Sequence, residues 1–121
     1  MSERELLDFI QGSIRSVWNV ELLLWLWRHA ERDARPDELV RELRASARVV
    51  QEGLQVLQTS GLVRVEEGQR YRYAPASPHL ETMVADLETL YRERPTTVAH
   101  ALFAPPSKLR TFADAFRVRK D

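Results

Sequence analysis

The 121-residue sequence contains no cysteine, only four glycines and no uninterrupted apolar run of membrane length. Without cysteine there is no disulfide framework, no thiolate metal site, no redox pair and no cysteine nucleophile. That absence fits a reducing compartment. The most apolar stretch, Val20 to Trp27, is interrupted by Glu21 and followed by Arg28 and His29, well short of the roughly 20 apolar residues a bilayer span requires. Met1 to Asp8 carry acids and lack a basic start leading into an apolar stretch, so no secretory signal is expected. The expected location is cytoplasmic, with no membrane partner, and at the nucleoid if DNA is bound.

Groups that do chemistry are also scarce. His29, His79 and His100 lie far apart with no His-x-x-x-His pair, so neither a metal nor another cofactor is expected. No glycine-rich phosphate loop and no Gly-x-Ser-x-Gly turn occurs. The expectation is a protein that is not an enzyme. Net charge is zero, from 18 basic and 18 acidic residues, so charge by itself advertises no polyanionic partner.

What is present is a 44% apolar, 30% charged chain, the composition of one ordinary globular domain with a real core. Ser2 and Glu5 have capping-box spacing ahead of Leu6, Leu7, Phe9 and Ile10, which predicts a helix over 3–11 ended by Gly12. A second helix, 18–31, is apolar on nearly every face through Leu22 to Trp27 and reads as the central core helix. Pro36, followed by Asp37 and Glu38, opens a short helix to Arg44. Ser46 caps another, 47–60, whose Val50, Leu54 and Leu57 recur at spacings of four and three before Gly61.

After Gly61 the period becomes two. Val63 and Val65 share a face with Tyr71 and Tyr73, and Arg64, Glu66, Arg70 and Arg72 share the other, across Glu67-Gly68-Gln69; this predicts a two-stranded hairpin. Ser77 and Pro78 then cap a long amphipathic helix ending near Pro95. Two short helices, 96–104 and 107–116, flank Pro105-Pro106. The expected fold class is α+β and mainly helical: a winged helix-turn-helix domain with an N-terminal helix over residues 1–76, and a C-terminal helical extension over 77–121.

The run from Val50 to Val63, with its valine, its two leucines and the closing Gly61-Leu62-Val63, resembles the recognition helix and first wing strand of MarR-like and related bacterial winged-helix regulators. The resemblance covers about half the chain, from Leu22 to Ala74, and implies a DNA-binding transcriptional regulator whose partner is double-stranded DNA. Such a reader keeps apolar residues on its own core and offers polar ones to base edges and phosphates. Here the outward set on the recognition helix is Ser46, Arg48, Gln51, Glu52 and Gln55. Arg41 and Arg44 before it, with Arg64, Arg70 and Arg72 on the wing, are the phosphate candidates. The alternative is a winged-helix protein-interaction module, favoured by the six arginines and six acids between Pro36 and Ala74, since a neutral module gains little from counterion release.

Leu80, Met83, Val84, Leu87, Leu90 and Tyr91 form one stripe, either a homodimer seam or packing on the first two helices; the dimer is the expectation. Trp18, Trp25 and Trp27 are read as core packing ahead of a small-molecule pocket. The tail from Pro105 is the most basic segment, with five bases against two acids, and carries Phe112 and Phe116 four apart. It docks on the core or on a protein partner, with the core favoured.

Overall fold

The computed structural model describes residues 2–103. The helix expected over 107–116 and the docking of Phe112 and Phe116 lie outside the described residues. Helix α1 (Glu3–Phe9) begins where the Ser2 hydroxyl accepts from the Glu5 N–H at 3.1 Å. It does not stop at Gly12 but passes into a π-helical turn, Ile10–Ile14, and the chain reverses only at Arg15, in the left-handed region with φ 78°. The Arg15 N–H reaches back five residues to the Ile10 carbonyl at 2.8 Å. The reason is burial. Ile10 and Ile14 are both fully enclosed, and seating each is worth about 1.5–3 kcal/mol, against about 1 kcal/mol for a glycine inside a helix.

Helix α2 (Val17–Arg28) starts earlier than its apolar pattern suggests, because the Ser16 hydroxyl accepts from the Asn19 N–H at 3.1 Å. Val20, Leu22, Leu23, Leu24 and Leu26 are buried on several sides of it, as expected for a central helix. Trp25 and Trp27 pack against the core at its margin. Trp18, on the first turn of α2, does not: it is 46% exposed. Trp25 stacks on His29 with ring centres 3.9 Å apart, and the Arg32 guanidinium lies 5.2 Å from the Trp25 ring centre.

Helix α3 (Pro36–Leu43) has proline in its first turn and ends at Arg44, in the left-handed region with φ 54°. Three residues on, α4 (Ala47–Thr59) opens with the Ser46 hydroxyl accepting from the Val49 N–H at 3.1 Å. Gly61, at φ 77°, closes that helix as an L-residue with a side chain does not do freely. Strands β1 (Val63–Glu66) and β2 (Arg70–Tyr73) pair antiparallel with Val63 opposite Tyr73 and Val65 opposite Tyr71, the expected register. On its other edge β2 carries a single bridge to Ala34, where the Ala34 and Tyr71 amides exchange two 2.8 Å hydrogen bonds. The architecture is α+β and mainly helical, with one small antiparallel sheet.

Helices α5 (Pro78–Glu93) and α6 (Pro95–Phe103) complete the described chain. The stripe expected to be a dimer seam is corrected here. Met83, Val84, Leu87 and Leu90 are buried, and Leu80 and Tyr91 are half-buried against the same core as Leu6, Ile10 and Leu23. Four of the six stripe residues are thus buried within the chain's own core, the packing alternative, and only Leu80 and Tyr91 keep partial exposure. The Tyr91 hydroxyl donates to Glu21 Oε2 at 2.5 Å, fixing α5 on α2. Burial first, and then that bond, pushes the Tyr91 phenol from its ordinary 10.0 up to about 12. Helices α5 and α6 thus share one continuous core with everything before residue 77.

Candidate nucleic-acid interface

Helix α4 divides its residues by face. Val50, Leu54 and Leu57 are fully enclosed, while Arg48, Gln51, Glu52 and Gln55 are exposed, with Ser46 and Arg44 exposed just ahead of them. The helix is seated by Gly53, which lets its backbone approach the buried Asn19 of α2. Asn19 in turn donates from Nδ2 to the Ile14 carbonyl at 2.7 Å. At the opposite end the Ser60 hydroxyl donates to the Ser13 carbonyl at 2.8 Å. Helix α4 is therefore clamped at its middle and its C-terminus, and Val50 seats its N-terminal half while Arg48, Gln51 and Glu52 stay exposed there.

No acid occupies the first turn of α4, so the positive end of the helix dipole is unopposed beside Arg44 and Arg48. Arg44 makes no ion pair or side-chain hydrogen bond among the described residues. Arg48 does: its Nε lies 2.9 Å from Glu52 Oε1, one turn on. That bond raises the already high pKa of the guanidinium. With both side chains mostly exposed, such a pair is worth only tenths of a kcal/mol. Arg41 faces Asp37 at 4.0 Å, again at the surface.

The hairpin arginines do not form the open phosphate-binding face that their alternation suggests. Arg72 donates from Nε to the Ala30 carbonyl at 3.2 Å and from Nη2 to the Glu31 carbonyl at 3.0 Å. Arg70 sits 3.3 Å from Asp33 and also donates to the Glu67 carbonyl at 2.9 Å. Both are turned onto the segment joining α2 to α3, which runs along β2 as the Ala34 bridge requires. Of the three, only Arg64 stays exposed, with Glu66 at 3.6 Å. Alternation alone assigns a face, not what covers it.

Two residues that alternation and helical spacing passed over belong to this surface. A cleft of about 450 Å3 lies between the start of α3, the start of α4 and the hairpin tip, with Arg35, Ala47, Gln51, Gly68 and Gln69 on its walls. Gly68 (φ 80°) and Gln69 (φ 57°) are consecutive left-handed residues, which turn the tip toward α4. Arg35 is exposed and holds no acid. Its signal in the sequence was its place immediately before Pro36, the residue that a proline-started helix pushes outward in extended conformation.

Of the expected set, Gln51 thus shares a cleft with Arg35 and Gln69, Ser46, Arg48, Glu52 and Gln55 lie exposed on α4 and its cap with Arg41, Arg44 and Arg64 exposed on neighbouring elements, and Arg70 and Arg72 are turned onto residues 30–33. No cluster of three or more His, Asp or Glu side chains able to hold a metal occurs among the described residues. No helix there is long and apolar enough to cross a membrane. No family model, no curated protein and no solved structure matches this chain.

Proposed function

We infer that α3, the Arg44–Ser46 turn, α4 and the β1–β2 hairpin form a winged helix-turn-helix, and that the protein is a DNA-binding transcriptional regulator that reads a duplex with α4 in the major groove. One observation carries this reading. Val50, Leu54 and Leu57 of α4 are enclosed, and its Arg48, Gln51, Glu52 and Gln55 are exposed. A major groove admits a helix in that pose, and glutamine and arginine have the fork geometry for adenine and guanine edges. Arg44, Arg35 and Arg64 flank the helix as phosphate contacts, and the dipole of α4 adds to them. Chemistry on a bound substrate has no part in it.

The withdrawal of Arg70 and Arg72 favours a second reading, a protein-interaction module using the same fold, because it leaves few unpaired cations for a polyanion. The two readings separate in one experiment. The protein is mixed with sheared bacterial genomic DNA, retained fragments are sequenced, and the enriched fragments are titrated in a gel shift over a salt series. A DNA reader enriches a shared sequence and loses it with Gln51→Ala; a protein-binding module enriches none.

A further inference from the structure

Between α1 and α6 lies a second cleft, of about 650 Å3, which shares no residue with the α4 face. Its floor is apolar, from Leu7 and Ala101, and its walls are polar. Glu3 on one wall is already neutralised by Arg94. Arg4 and Asp8, one helical turn apart on the same wall, hold no ion partner among the described residues and do not pair with each other. The α1 wall therefore offers one unmatched cation and one unmatched anion, and α6 lines the other side with Thr96, Thr97 and His100.

We propose that this cleft binds a short apolar peptide with free termini, a di- or tripeptide, its carboxylate on Arg4 and its ammonium on Asp8. A ligand of one sign would satisfy one of these groups and meet a like charge a turn away; a zwitterion satisfies both. Side chains four apart on a helix stand about 5–6 Å apart at Cβ, and an extended dipeptide spans about 7 Å, so the two separations match. The volume lies within the roughly 300–1,000 Å3 of small-ligand sites. Threonine hydroxyls both donate and accept, as a peptide link requires.

The cleft is also joined to α4. Gln11 in the π-helical turn donates to the Ala101 carbonyl at 2.7 Å across the cleft floor, and the Ser13 carbonyl of the same turn receives the Ser60 hydroxyl. An occupant between α1 and α6 bears on the element that holds the end of α4.

The test needs no DNA, so it stands or falls apart from the reading of α4. Leu-Leu, its N-acetyl form and its C-terminal amide are titrated into isotope-labelled protein and followed by amide shifts. The zwitterion is expected to move Leu7, Gln11 and Thr97, and each capped form to bind at least about tenfold more weakly. Asp8→Asn should abolish the difference between Leu-Leu and its acetyl form, and Arg4→Gln that between Leu-Leu and its amide. Equal binding of all three compounds, or no shift at about 10 mM, overturns the proposal.

Discussion

A Cβ placed on Gly53 would stand 2.6 Å from the Asn19 side-chain oxygen and 2.8 Å from a Leu22 methyl, so α4 crosses α2 at a separation that only glycine allows. Asn19 cannot swing aside without releasing the Ile14 carbonyl in a buried site. Gly53→Ala should therefore destabilise the protein by about 1–3 kcal/mol through overpacking, although alanine is worth about 1 kcal/mol more in an isolated helix. Urea unfolding checks the sign. A higher midpoint would show that α4 is free to slide off α2.

On the proposed reading of α4 as a DNA reader, the Arg48–Glu52 pair tempers its charge. Glu52→Gln leaves Arg48 uncompensated, and the DNA affinity of the variant should rise at low salt. Its dependence of log affinity on log salt should steepen by about one unit, the increment for one added phosphate contact. Arg48→Ala should cost about 1–3 kcal/mol of binding if the residue reads a base. Gel shifts from low to high salt measure both.

Arg72 answers differently. Because both of its donors are committed to the Ala30 and Glu31 carbonyls, Arg72→Ala should lower stability by about 1–2 kcal/mol and leave the salt slope of DNA binding where it was. A slope made shallower by one unit would return Arg72 to the phosphate-contacting set.

Leu87→Glu places a carboxylate in a fully enclosed site. The expected result is unfolding, with a loss above about 3 kcal/mol, and not a folded monomer released from a dimer. Circular dichroism with light scattering on the same sample separates these outcomes.

Tyr73 and Tyr91 both have phenols held near 12, burial being the first cause at each. In the unfolded chain a tyrosine ionises near its ordinary 10.0. The folded state therefore holds these protons more tightly, and that contribution is complete below pH 10 and is lost as pH rises from 10 through 12. The urea midpoint should fall across that window. The fall should be smaller in Tyr91→Phe, whose ring cannot ionise.

Much of this molecule is legible in its sequence, and the particular failures are instructive. Ser46, Ser77 and Pro36 announce three helix starts because capping is local chemistry, settled within four residues. The hairpin register follows from a period of two and a glycine turn. What Arg70 and Arg72 touch depends on residues 30–34, some forty positions away, and no periodicity encodes that. The α5 stripe was correctly seen as apolar, but a stripe does not say whether its cover comes from the same chain or another. Gly12 misled for the same reason: its own preference is weak beside the burial of Ile10 and Ile14.

The paired amides of Ala34 and Tyr71 make the link between α2 and α3 a short third rung of the sheet. Its length is consequently fixed on both sides, by the end of α2 and by the register of β2. Lengthening the link by one residue between Asp33 and Ala34 would slip Arg72 off its two carbonyls and Asp33 away from Arg70. The hairpin tip at Glu67 and Gly68 carries no such rung and is held by its own left-handed turn and by the Arg70 bond to the Glu67 carbonyl.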